Sequence, residues 1–229
     1  MDEKIVTEIA KSIPDSAWNR LVQTACDTFE KAVAPLTEST SGIGRLIKAK
    51  FDRLLNEEKV LVAETFAKAK QKITESSKEM KGHHNLNIVL QVVQESCKQT
   101  DEKLRDLWAN LLATELTEGG VHPEIVSILK RISSDDARVL LKVSENSPKI
   151  NQKFIETLGH AFSGMSPVTI YRSKEDSFSE KLLERLGLIK KEIPHWKLTE
   201  IGIGFLEVVS GISSSDEEIS NDQFPTHRE

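Results

Sequence analysis

Leu104-Arg105-Asp106-Leu107-Trp108-Ala109-Asn110-Leu111-Leu112-Ala113 is the stretch that decides the fold. Its apolar residues at 104, 107, 108, 111 and 112 recur with helical spacing, which predicts one buried stripe around a single large aromatic anchor, Trp108. Asp101 stands where such a helix takes its N-cap, and Gly119-Gly120 closes it. Pro123 fits the first turn of the next helix. Ser133-Ser134-Asp135-Asp136 then caps a helix carrying Ala137, Val139, Leu140, Leu141 and Val143.

Upstream, Asp15 or Ser16 can cap a helix that begins near Ala17 and carries Trp18, Leu21, Val22, Ala25, Phe29, Ala32, Val33 and Leu36. Residues 35–44, with Pro35 at their head and rich in Ser and Thr, are expected to break it. A second apolar series runs from Ile43 through Phe51, Leu61 and Phe66 to Ile73. With no Pro or Gly between Arg45 and Lys81, it predicts a single helix of over about 30 residues, roughly 50 Å long. These two helices together predict a long N-terminal hairpin. Leu86, Val89, Leu90, Val93 and Cys97 mark a third helix.

Downstream the pattern shortens. Phe154, Ile155 and Leu158 suggest a brief helix, and Val168 to Tyr171 a short strand or extended loop. Ser177-x-x-Glu180 is a capping-box signature opening a helix that Gly187 closes. Two short strands follow, 188–192 and 196–198, around a turn containing Pro194, and Thr199 caps a last helix. The order helix, helix, helix, hairpin, helix is that of a winged-helix module. The fold expectation is therefore mainly α: a helical domain over residues 1–132, a winged-helix-like α+β module over 133–212, and a disordered acidic tail over 213–229.

Of the 229 residues, 38% are hydrophobic and 29% charged, enough apolar material for a real core. Aromatics are only 5%, so that core is built of Leu, Ile, Val and Ala, which favours helices. The net charge of −5 is unevenly spread, because the tail holds Asp216, Glu217, Glu218, Asp222 and Glu229 against Arg228 alone. The body is close to neutral, which argues against a dominant footprint on nucleic acid or anionic membrane. Cys26 and Cys97 are too few for a disulfide framework. No segment is apolar enough for a membrane span, and Met1-Asp2-Glu3-Lys4 lacks the basic start of a signal peptide. The expectation is a cytoplasmic, reduced protein.

Chemistry is hard to find. His83-His84, His122, His160 and His195 have no second ligand at a metal-binding spacing, and neither cysteine sits in a Cys/His motif. Glu57-Glu58, Asp101-Glu102 and Asp135-Asp136 are adjacent pairs that diverge on a helix, so they read as solvated faces or helix N-terminal charges. Residues 41–45 and Gly202-Ile203-Gly204 follow no strand in a phosphate-cradling context. No catalytic residue, metal or cofactor is expected. Trp108, Asn110 and His122 are the leading structural or interaction positions. Asn110 is a polar residue in an apolar helix that needs a partner if buried. Were the C-terminal module a DNA reader, Lys181 and Arg185 would sit on its recognition helix, and Lys190, Lys191 and Lys197 on its wing. Glu180, Glu184, Glu175 and Asp176 would oppose phosphates there.

The segments Trp108-Ala109-Asn110-Leu111-Leu112-Ala113, His122-Pro123 and Ile128-Leu129-Lys130-Arg131-Ile132-Ser133 together resemble the bacterial abortive-infection alpha family. Leu182-Leu183-Glu184-Arg185-Leu186-Gly187-Leu188-Ile189 and Leu198-Thr199-Glu200-Ile201-Gly202 resemble its C-terminal part. The resemblance covers roughly residues 31–209. The family has no established biochemical activity and offers no catalytic residues to carry over. What it implies is a non-enzymatic role in defence against phage, through contacts with a protein partner: a phage component, a toxin or a second copy of the chain. A winged-helix DNA-binding regulator and an immunity or antitoxin protein with an acidic tail are the alternatives.

Overall fold

Five helices begin at caps whose side chains do what their sequence positions require. We describe residues 15–39, 43–78, 84–145, 177–192 and 195–211 of a computed structural model. Asn85 accepts from the Asn87 N–H, and Asp101 from those of Lys103 and Leu104. Ser133 and Ser177 close reciprocal boxes with Asp136 and Glu180, and Thr199 accepts from Gly202. Each cap satisfies backbone donors that a helix start leaves open.

The chain divides into two compact units, Met1–Val126 and Ser127–Glu229. The first contains α1 (Asp15–Ser39), α2 (Ile43–Asp52), α3 (Asn56–Glu75), α4 (Leu86–Ser96) and α5 (Glu102–Thr117); α6 (Pro123–Leu129) spans the division. The second contains α7 (Ser134–Ser144), α8 (Phe178–Arg185), β1 (Ile189–Glu192), β2 (His195–Leu198) and α9 (Glu200–Ser210). The fold is mainly helical. Its small sheet is one antiparallel pair with Ile189 opposite Leu198 and Glu192 opposite His195.

In the first unit α1 packs along α3, and α3 and α4 pack on α5. The expected single helix from Arg45 to Lys81 is instead two, α2 and α3, broken at Arg53-Leu54-Leu55. The physical reason is Phe29. Its ring stacks on Phe51 at 3.7 Å and meets Phe66 edge-on at 5.0 Å. In a straight helix residues 51 and 66 would stand about 22 Å apart, too far to share one ring. The break lets both reach it, and the Leu55 N–H at the new helix start donates to Glu58 at 2.9 Å.

α1 runs past Pro35 and ends at Ser39, within the expected break at 35–44. Proline lacks the N–H that would bond the Lys31 carbonyl. Lys70 of α3 donates to that carbonyl instead, at 3.1 Å. Burial on α5 also exceeds one stripe, because Ala109, Asn110, Glu115 and Thr117 are buried with the leucines.

In the second unit α8 and β2 pack on α7, and α9 packs on β2. Gly187 takes φ 74° to end α8. A Cβ on Gly202 would lie 2.1 Å from the Leu188 carbonyl oxygen, so α9 approaches the backbone just before β1 at a distance only glycine permits. The expected helix at 154–158, the strand at 168–171, the turn with Pro194 and the tail at 213–229 lie outside the described residues.

Candidate functional site

Trp108 and Asn110 lie inside α5, at 1% and 4% exposure. His122 is exposed and serves the start of α6. Its carbonyl accepts from Ile125 at 2.9 Å and its ring Nδ1 from the Glu124 N–H at 3.1 Å. A ring nitrogen that accepts carries no proton, so the imidazole donates only from Nε2. The three positions do not converge: two are core and one is a surface cap.

Other residues of the first unit form closer constellations. Glu115 on α5 is fully buried, and its two carboxylate oxygens accept from the Asn85 N–H at 2.6 Å and the Val121 N–H at 2.9 Å. One side chain thus pins the entrance to α4 and the approach to α6, while His84 Nδ1 lies 3.3 Å from the Glu115 carbonyl. Arg105 is equally committed. It donates to the carbonyls of Gln99 and Thr100 at 3.0 and 2.8 Å and pairs with Glu64 of α3 at 3.0 Å. Beside it Lys68 pairs with Glu64, Glu102 and Asp106 at 2.9, 3.4 and 2.8 Å; burial works against its charge, but the hydrogen bonds it donates to Asp106 and Glu64 raise its pKa above the ordinary lysine value. Sequence reading gave no role to Glu115 or Arg105, since nothing local marks a glutamate whose partner lies 30 residues away.

Two concave features adjoin α3. An open groove of about 490 Å³ is lined by Thr28, Lys31 and Ala32 of α1 and by Ala67, Lys70, Gln71, Thr74 and Glu75 of α3. A smaller polar cavity of about 200 Å³ lies among Lys68, Gln71, Lys72, Glu75 and Asp106. Among the described residues no group of three or more His, Cys, Asp or Glu is placed to hold a metal ion. Cys97 is buried, which pushes its thiol pKa up and leaves it unreactive. His83 and His160 lie outside the described residues.

The second unit carries the candidate nucleic-acid contacts. Lys181 and Arg185 are exposed on α8, as is Glu184. On the hairpin, Lys190 and Lys197 stand directly opposite each other. Like charges so placed repel, and Glu192, two residues along β1, answers both. It pairs with Lys190 at 2.8 Å and with Lys197. These two hydrogen bonds hold its carboxyl down at about 2, and Lys190 is raised in return. Lys191 points to the other face and lies over Trp196, 5.4 Å from the ring centroid. The three hairpin lysines are thus brought together, but two of them are already met by a carboxylate of their own hairpin.

Among the described residues no helix is long and apolar enough to cross a membrane. The family model described as abortive infection alpha matches residues 55–228. No curated protein and no solved structure matches the chain.

Proposed function

Because the chain belongs to the abortive infection alpha family, we propose that it serves bacterial defence against phage, acting by contact with a protein partner and not by catalysis. The observation that carries this reading is the family match itself, which spans α3 to the C-terminal tail. Its support in the geometry is the way ionisable groups are used. Glu115, Arg105 and Lys68 are spent on joining backbone segments and helices. That pattern belongs to a scaffold that presents surfaces.

Phage plating on a bacterial host expressing this gene alone, at low and high phage input, tests the reading. Reduced plating with culture collapse at high input is expected; normal plating across a broad phage panel overturns it. The DNA-binding alternative loses ground on the hairpin, because Lys190 and Lys197 are both paired with Glu192, and on α8, where Phe178 is 81% exposed at the first turn. A gel shift at low salt distinguishes the two, since phosphate contacts are strongest there. The antitoxin alternative depends on the acidic tail, and deleting residues 213–229 without loss of protection removes it.

A further inference from the structure

All but one of the lysines on α3 have their amines engaged. Lys59 lies over the Phe51 ring at 6.0 Å, Lys68 holds three carboxylates, and Lys70 donates to the Lys31 carbonyl. The Lys72 amine makes no hydrogen bond and no ion-pair contact among the described residues, yet the residue is half-buried and lines the polar cavity with Lys68, Gln71, Glu75 and Asp106. Burial pushes its pKa below the ordinary lysine value. Asp106 on α5 and Glu75 on its own helix pull the other way, and Lys68 one turn earlier adds to the lowering. A lysine with a depressed pKa has more of the neutral, nucleophilic amine.

We propose that Lys72 is a covalent modification site, acylated by small activated acyl donors of the acyl-phosphate class. Three features of its setting favour this: an uncommitted amine, an opening to solvent, and a neighbouring lysine whose charge is already held elsewhere. The size of the cavity restricts the donor. Sites for drug-sized ligands run to about 300–1,000 Å³, and this one of about 200 Å³ has room for a short acyl chain. In the step itself the neutral Nζ attacks the acyl carbonyl carbon and a C–N bond forms. The bond from that carbon to the phosphate oxygen breaks, phosphate leaves with the electron pair, and one proton passes from nitrogen to solvent. The product is a neutral amide, so one positive charge is removed beside Asp106 and Glu75 without disturbing the pairs that Lys68 makes.

The test is site-resolved acetylation of the full-length chain by acetyl phosphate at mildly alkaline pH, followed by peptide mass spectrometry. Lys181, exposed on α8, is the internal reference. In the folded chain Lys72 should acetylate several-fold faster than Lys181, its rate should level off at lower pH, and the advantage should vanish in urea. A folded-state rate equal to or below that of Lys181 overturns the proposal. So does an advantage that survives unfolding, which would place its cause in local sequence and not in the cavity.

Discussion

Glu115 shows how much one side chain can organise. A buried carboxylate that accepts two backbone N–H groups satisfies donors which the segments before α4 and α6 could not otherwise pair. Glu115→Ala should therefore cost about 2–4 kcal/mol, as a lost charged hydrogen bond plus a buried Val121 donor left open; urea unfolding measures it. Glu192 makes a different kind of expectation. A carboxyl held at about 2 against an ordinary 4.5 favours the folded hairpin only while ionised. That contribution is fully present above pH 4.5 and is lost as pH falls toward 2. The side-chain carboxyl resonance of Glu192 should titrate near the lower figure, and a midpoint near 4.5 would mean that the lysines do not hold it. The caps at Asp101, Ser133, Ser177 and Thr199 were legible because each joins groups two or three residues apart. Glu115 and Arg105 were not, because a charged residue in a helix says nothing about which distant backbone it will meet.

At the scale of elements, a periodic apolar series predicted helix correctly over 43–73 but not its continuity. Hydrophobic spacing records which face is buried. It does not record that Phe51 and Phe66 must both touch Phe29. Pro35 is tolerated inside α1 for the complementary reason: the carbonyl it orphans found a donor on another helix. Glu58→Ala, which removes the acceptor for the Leu55 N–H, should destabilise the start of α3 by about 0.5–2 kcal/mol, the usual value of a capping interaction. Thermal or urea unfolding would register it as a modest loss. In the second unit, Gly202→Ala and Gly204→Ala make a matched pair. The first drives a methyl into the Leu188 carbonyl and should cost at least about 1–3 kcal/mol. The second meets nothing within 4 Å and should be neutral or slightly stabilising in a helix. Equal effects at both positions would contradict the close approach of α9 to the Leu188 backbone.

At the scale of the molecule, Trp108 links stability to phenotype. Trp108→Ala removes a fully buried aromatic and should cost about 3–5 kcal/mol, a large part of the roughly 5–15 kcal/mol that holds a typical protein folded. Any loss of phage protection in that variant should therefore track its soluble, folded fraction; full loss with an undiminished unfolding midpoint would instead mark Trp108 as an interaction residue. The sequence by itself determined the mainly helical class, most element boundaries in the described residues, and the family, because these depend on local hydrogen bonds and short-range periodicity. Tertiary structure alone decided where the long apolar series breaks, how Pro35 is tolerated, which backbone Glu115 clamps, and that Glu192 pairs with both Lys190 and Lys197. Each of those outcomes depends on groups brought together by packing and strand pairing, and the free energy of such contacts is not written in the spacing of either partner.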